Sequence, residues 1–195
     1  MAFKIENCNQ LSDSDIVKMS IKNIDYFACL YKRYSDQLKR YIIRFSNSSD
    51  DEADDILQEA FIKVWINLNE FDNSLKLSSW LYRIIHNETV SYLRGKQSYG
   101  KSNTIVLDDQ ALFELQTALE WEVDPEKISY MVSRVMDKMP EKYRQFLILK
   151  FFEKLSYEEI SDILKIPEGT VATRINRAKK LFKNIAEKEH FTFNP

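Results

Sequence analysis

Residues 155–183 read LSYEEISDILKIPEGTVATRINRAKKLFK. Ser156 followed by Glu159 has capping-box spacing: the hydroxyl can accept from the Glu159 amide while the carboxylate reaches back to the Ser156 amide. Leu155 and Ile160 flank this cap at hydrophobic-staple spacing. The helix it starts is expected to bury Ile160, Ile163 and Leu164, and Pro167 with Gly169 to stop it and turn the chain. Thr170 can cap a second helix. Its apolar stripe is Val171, Ile175, Ala178, Phe182 and Ile185, at spacings of 4, 3, 4 and 3. The opposite face holds Thr173, Asn176, Arg177 and Lys180. Residues 170–183 carry a charge of +5, from Arg174, Arg177, Lys179, Lys180 and Lys183, with no acid among them.

Two helices, a tight turn and a polar-basic outer face describe a helix-turn-helix, whose second helix enters the major groove. The bases can neutralise phosphates, and Thr, Asn and Arg are types that hydrogen-bond base edges. The plain alternative is an αα-hairpin with a solvated basic face; cap, turn and stripe together favour the helix-turn-helix. Upstream, MPEKYRQFLILKFF fits a supporting helix with Pro140 in its first turn. Phe146, Leu147, Ile148, Leu149, Phe151 and Phe152 supply the surface on which the pair can pack.

Composition bounds the class. With 44% apolar and 13% aromatic residues the chain should fold, and with only 3 Gly and 4 Pro in 195 residues it should be helical. So few glycines leave no phosphate-cradling loop. His86 and His190 are isolated, so no metal cluster, cofactor site or catalytic set is expected. Cys8 and Cys29 fit no metal or redox spacing and read as reduced, buried thiols. The start, MAFKIENCNQ, is too polar for a signal peptide, and no apolar run approaches the ~20 residues of a membrane span. The expectation is a cytoplasmic, all-α protein that is not an enzyme.

Charge is unevenly placed. Net charge is −1 over residues 1–25, 0 over 26–98, −5 over 99–128 and +4 over 129–195. A short acidic connector thus separates two neutral or basic blocks. In the first block, SSDDEADDILQEAFIKVWINL opens on a second capping box, Ser49 with Glu52. Ala53, Ile56, Leu57, Ala60, Val64 and Leu68 make a core stripe, and Asp55, Gln58, Glu59, Ile62 and Ile66 lie opposite. Spacing alone fits either scattered surface apolar residues or a protein-docking strip. Next comes LSSWLYRIIHNETVSYLRGKQ, which Ser78 can cap. Leu81, Ile84, Ile85 and Leu93 point mostly one way. Trp80, Tyr82, Arg83, His86, Asn87, Tyr92, Arg94 and Lys96 interleave aromatics with bases, as suits unstacked single-stranded bases; a core helix with a mixed surface fits as well.

Three segments together resemble bacterial RNA polymerase sigma factors of the sigma-70 family, in the short extracytoplasmic-function group: DDILQEAFIKVW at 54–65, SSWLYRIIHNETVSYLR at 78–94, and residues 139–182. The upstream DYFACLYKRYSDQLKRYIIRF is similar to that group's first helix. The resemblance covers roughly residues 25–98 and 126–188. It implies an N-terminal extension at 1–24, a domain 2 at 25–98, an acidic linker at 99–125 and a helix-turn-helix domain 4 at 126–190. The family's D-x-x-Q-E falls on Asp55, Gln58 and Glu59. The resemblance implies that these, with Ile62, meet the β′ clamp coiled coil of core polymerase, with the β flap as a further contact. Asn87 matches the position that reads a flipped −10 base, with Arg83 and Ser91 beside it. Thr173, Arg174, Asn176, Arg177 and Lys180 fall on the −35 recognition helix. An anti-sigma partner is also implied.

Departures bear on promoter sequence. Ala172 stands where Lys or Arg is frequent, Leu77 where an aromatic is usual, and Asn176 where His is common. Asn there can shift base preference, for example towards adenine. In the family the linker threads through polymerase near the transcript's path, so Asp108, Asp109 and Glu114 are expected in a basic channel. Leu112, Leu115 and Leu119 can form a short helix in it; a solvated spacer is the alternative. Near-neutral net charge predicts weak DNA binding by the free protein. Two other readings are a dimeric helix-turn-helix repressor or activator working without polymerase, and a helical adaptor with no nucleic-acid role. The first leaves D-x-x-Q-E unexplained, the second the acid-free basic helix.

Overall fold

Serine hydroxyls cap three of the helices, two of them in reciprocal boxes with a glutamate. The computed structural model describes residues 8–95, 109–119 and 125–191. Among them every regular element is helical: α1 Asp13–Lys22, α2 Phe27–Ser46, α3 Asp50–Asn67, α4 Leu77–Gly95, α5 Asp109–Leu119, α6 Pro125–Lys138, α7 Glu141–Leu147, α8 Tyr157–Leu164 and α9 Glu168–Lys188. Short 3₁₀ turns stand at Cys8–Gln10, Ile24–Tyr26 and Leu68–Glu70, and a π-helical turn at Ile148–Phe152. The all-α expectation holds. Lys96, Asp108 and much of the acidic connector lie outside the described residues.

The described residues divide into two compact units, 8–42 with 48–95, and 43–47 with 109–119 and 125–191. In the first, Ser12 caps α1, its Oγ accepting from the Asp15 amide at 3.1 Å. In sequence this segment is distinguished only as an N-terminal extension. Its signal was a Ser cap followed by Ile16 and Val17, both now buried. The predicted box at α3 forms: the Ser49 amide donates to Glu52 Oε2 at 2.9 Å and the Glu52 amide to Ser49 Oγ at 3.3 Å. α4 begins at Leu77, so Ser78 sits inside the first turn rather than capping it. α3 packs on α4, and Ile56, Leu57, Ala60, Phe61 and Val64 turn inward.

α4 is buried round more of its circumference than an amphipathic helix. Trp80, Tyr82 and His86 join Leu81, Ile85 and Thr89 in the core. They are therefore not a stacking platform for bases. The tyrosine and histidine tips find partners: the Tyr82 hydroxyl accepts from Gln37 at 2.8 Å, and the Tyr41 hydroxyl pairs with His86 Nδ1 at 2.8 Å. Burial lowers the His86 pKa to about 4. The folded pKa lies below the unfolded value near 6.5, so the unfolded chain binds the extra proton. Stability is complete above pH 6.5 and is lost as pH falls towards 4, by about 3 kcal/mol at the lower end. The measurement is urea unfolding of wild type and His86→Gln from pH 7.5 to 4. The difference between the two curves should shrink with acid, and parallel curves would refute the assignment.

In the second unit α9 packs against α6, α7 and α8, and α5 against α6 and the π turn. α5 buries Leu112, Leu115 and Leu119, the three leucines expected to form a linker helix. Pro140 stands just before α7 rather than within its first turn. The box at α8 forms, with the Ser156 amide donating to Glu159 at 2.7 Å and the Glu159 amide to Ser156 Oγ at 3.1 Å. The turn differs from expectation. Lys165, at φ 55°, supplies the left-handed residue that ends α8, while Gly169 is already helical. The Ser161 hydroxyl donates to the Ile166 carbonyl at 2.6 Å, and the Ile166 amide donates to the Ser161 carbonyl at 3.3 Å. Those bonds occupy groups that the helix end would otherwise orphan and offset the cost of a non-glycine left-handed residue. α9 begins at Glu168, preceded by Pro167, so Thr170 lies in its first turn and does not cap it. Val171, Ile175, Ala178 and Phe182 are buried as predicted; beyond them Ala186 is buried and Ile185 only half-buried.

Candidate polymerase and promoter interfaces

Three helical faces carry the predicted contact residues. On α3, Asp55, Gln58, Glu59, Ile62 and Ile66 all face solvent, at spacings that keep them in one strip. Ile62 is 53% and Ile66 67% exposed. Lys39 engages Asp50 and Asp54 at 2.7 and 2.8 Å, and Lys63 pairs with Glu88. Neither Asp55 nor Glu59 forms an ion pair among the described residues, so both acids stand free beside the two isoleucines. Aromatic rings border the strip. Phe27 meets Phe61 and Trp65 edge-on at 6.0 and 5.2 Å, and Tyr31 meets Phe61 at 4.8 Å. Tyr31 remains 41% exposed. The sequence reading missed it, because its place beside Phe61 depends on how α2 meets α3 rather than on its own helix's period.

On α4, Arg83, Asn87 and Ser91 recur every four residues, so they share one face. Asn87 and Ser91 are exposed and Arg83 half-buried. The Ser91 hydroxyl donates to the Asn87 carbonyl at 2.9 Å, so it is left to a ligand chiefly as an acceptor. Asn87 thus presents a neutral amide with donors and an acceptor, the set that pairs with a base edge.

On α9, Thr173, Asn176, Arg177 and Lys180 are exposed and Arg174 half-buried. The Thr173 hydroxyl donates to the Gly169 carbonyl at 2.9 Å. Arg174, Arg177 and Lys180 enter no ion pair among the described residues. A helix whose cations are uncompensated on its outer face concentrates positive potential where a phosphate backbone would lie. Within the described residues no group of His, Cys, Asp and Glu is placed to hold a metal, and no helix is long and apolar enough to cross a membrane.

Residues 30–99 match the family model for Sigma-70 region 2, and residues 129–182 that for Sigma-70, region 4. The chain belongs to the sigma-70 family. Among curated proteins, it is 34% identical over 179 residues to the ECF RNA polymerase sigma factor SigW of Bacillus subtilis, covering 86% of this chain and 95% of that one. It is 33% identical over 160 residues to the RNA polymerase sigma-H factor of Pseudomonas aeruginosa, covering 79% and 82%. The ECF RNA polymerase sigma-E factor of Escherichia coli is 32% identical over 182 residues, covering 90% and 94%. The fold is shared with CnrH, solved in complex with the cytosolic domain of CnrY, at a TM-score of 0.64, 19% identity, and 89% and 96% of the two chains. It is also shared with the sigma factor RpoE of Bartonella quintana, solved with the anti-sigma factor NepR, at 0.61 and 20%, with 83% and 96% covered. The α3 and α4 faces of this sigma factor fall within region 2, and the α9 face begins within region 4. None of these relatives supports the reading as a polymerase-independent repressor.

Proposed function

We infer that this sigma factor binds core RNA polymerase and directs initiation at promoters, and we propose how its faces divide that work. The α3 strip of Asp55, Gln58, Glu59 and Ile62 docks on the β′ clamp coiled coil, with Tyr31 extending the apolar part, and the second unit adds a contact to the β flap. Arg83, Asn87 and Ser91 hold the melted −10 element. Extruding a base costs a few kcal/mol, which a pocket and polar contacts must offset. Thr173, Arg174, Asn176, Arg177 and Lys180 read the −35 duplex from the major groove. Polymerase carries out the chemistry, so no catalytic residue or cofactor is assigned here. The acids of the connector occupy a basic channel on polymerase. An anti-sigma factor covers the docking or DNA faces until it is released. The protein works in the cytoplasm and binds DNA weakly until core is present.

One observation carries this reading most directly: two acids without an ion pair among the described residues stand beside two exposed isoleucines in one strip of α3. A solvated face needs no isoleucine, whereas an interface with an apolar anchor and a polar rim needs both. The deciding experiment is run-off transcription with core polymerase on sheared genomic DNA of the host, with and without the protein. Discrete transcripts that depend on the protein are expected. Active core with no such transcripts, and no co-elution of the protein with core, would overturn the reading.

The −35 assignment makes its own prediction. Arg177→Ala should weaken holoenzyme binding by about tenfold and relax preference at one −35 position, as for a lost base contact of about 1–3 kcal/mol. Lys180→Ala should weaken binding to all sequences alike and lower the salt slope by about one. Filter binding across −35 variants at several salt concentrations separates the two. Identical profiles for both variants would remove the assignment.

A further inference from the structure

Cys8 and Cys29, 21 positions apart in sequence, form a disulfide with Cα atoms 5.2 Å apart. The sequence reading had them as separate reduced thiols; the spacing carries no redox signature because the pairing is made by folding the N-terminal segment back on α2. That segment is tied down a second way. Arg33 donates to Asp13 at 2.6 Å and to the carbonyls of Cys8 and Leu11 at 2.6 and 2.7 Å, and the Tyr34 hydroxyl donates to Asp13 at 2.5 Å. Both tethers act on residues 8–13, the strap that leads into α1. The other side of this strap is a wall. Ser12, Asp13 and Ser14 close one side of a cleft of about 410 Å³, and Phe71, Leu75 and Lys76 stand on the other. Residues 71–76 are the entry to α4, the helix that carries Arg83, Asn87 and Ser91. The disulfide anchors the strap, the strap leads into α1, and α1 packs against Leu68–Glu70, the turn just before the entry to α4.

We propose that Cys8–Cys29 is a reversible thiol switch that sets whether the strap holds the entry segment of α4 in place. The proposal rests on the functional reading above in two respects: a cytoplasmic setting, where lasting disulfides are rare and those that form tend to sense redox state, and a role for α4 at the −10 element. The oxidised protein is the form with the ordered strap and the higher rate of promoter opening. In the reduced protein only the polar anchor at Arg33 and Tyr34 remains.

The two sulfurs are unequal. Cys29 is fully buried and Cys8 half-buried, so an incoming thiolate reaches Cys8. A dithiol reductant of the thioredoxin class attacks the Cys8 sulfur and forms a mixed disulfide, and Cys29 leaves as thiolate and takes up a proton. The reductant's second thiol then displaces Cys8, which takes up the other proton. The pair gains two electrons and two protons, and the reductant ends as its disulfide. In the return direction the Cys8 thiolate attacks the O–O bond of a hydroperoxide, giving a sulfenic acid and the corresponding alcohol or water. Cys29 sulfur displaces the sulfenic hydroxyl, which leaves as water, and the bond is restored.

The test uses the full chain, oxidised with hydrogen peroxide or reduced with dithiothreitol, beside Cys8→Ser. Thiol alkylation under denaturing conditions should count no free thiol after peroxide and two after reductant, and a glutathione series spanning cytosolic ratios should titrate between them. Amide exchange over residues 13–22 and 71–78 should speed up about tenfold on reduction, as expected when a loop constraint on a local opening is removed. Cys8→Ser should match the reduced form in either buffer. With core polymerase, promoter opening should fall at least threefold on reduction and be indifferent to redox state in Cys8→Ser. A pair that stays dithiol in peroxide, stays oxidised across the whole glutathione series, or leaves exchange unchanged overturns the switch. So does promoter opening that is measurable and equal in both states. If exchange responds to redox state but neither form initiates transcription, the functional reading fails and the strap switch stands.

Discussion

Glu59→Lys and Ile62→Asp are each expected to lower affinity for core polymerase by about 30- to 100-fold, the 2 kcal/mol or more of an interface hot spot. The reasoning starts from what these side chains do not do. Ile62 is 53% exposed and Glu59 has no ion pair among the described residues, so neither holds α3 in the fold. Their substitution should shift unfolding free energy by less than about 0.5 kcal/mol. On the proposed docking the same side chains would change character. Ile62 would become an apolar anchor, and an Asp there would be buried without a partner. Glu59 would meet complementary charge, and a Lys there would face like charge across the interface. Lys18→Ala, at an exposed position on α1, serves as the control. Sedimentation or fluorescence anisotropy with core gives affinity, and urea unfolding gives stability. Normal core affinity in both variants, with the fold intact, would move the docking surface off α3. A loss of affinity accompanied by a loss of stability would be uninformative for Leu57, which is 1% exposed, but should not occur at position 62.

How far such residues were legible in the sequence depends on which physical cause placed them. Local causes were readable. The boxes at Ser49 and Ser156 form as the spacing required, because both partners lie within one turn of chain. The stripe from Val171 to Phe182 is buried as periodicity demanded. The turn between α8 and α9 was misread at its central residue. Glycine marks low intrinsic cost for a left-handed backbone, so attention went to Gly169. The structure instead uses Lys165 and recovers the cost through hydrogen bonds made by Ser161. For Trp80, Tyr82 and His86 the sequence left two readings open, a stacking face and a core helix, and their burial decides for the core. A helix period gives direction, not the number of neighbours, and α4 has neighbours on more than one side. The Cys8–Cys29 bond, α1 and Tyr31 depend on contacts between elements far apart in sequence, which no window of sequence contains.

Phe182→Ala is expected to be the most damaging single change outside the interfaces. Its ring is fully buried on α9, on the face opposite Asn176, Arg177 and Lys180, and α9 is packed by α6, α7 and α8 together. Truncation leaves a cavity bounded by several helices, none of which can move in without losing its own contacts. The cost is about 3–5 kcal/mol, and in a unit of this size it lowers the midpoint of thermal unfolding by roughly 15–30 °C. The first unit has its own core, around Leu57, Leu81 and Ile85, and should keep its melting behaviour. Transcription gives the matching functional readout. Core binding through α3 should persist at low temperature, while initiation at promoters that need their −35 element should be lost first, as the helix presenting Arg177 melts. Asn176→Ala changes an exposed residue on the same helix and should leave stability within about 0.5 kcal/mol while altering −35 preference. If Phe182→Ala instead altered −35 preference at full stability, the inward and outward faces of α9 would have to be exchanged. The basic face would then be structural and the apolar one the reader of DNA, which a fully buried Phe182 does not allow.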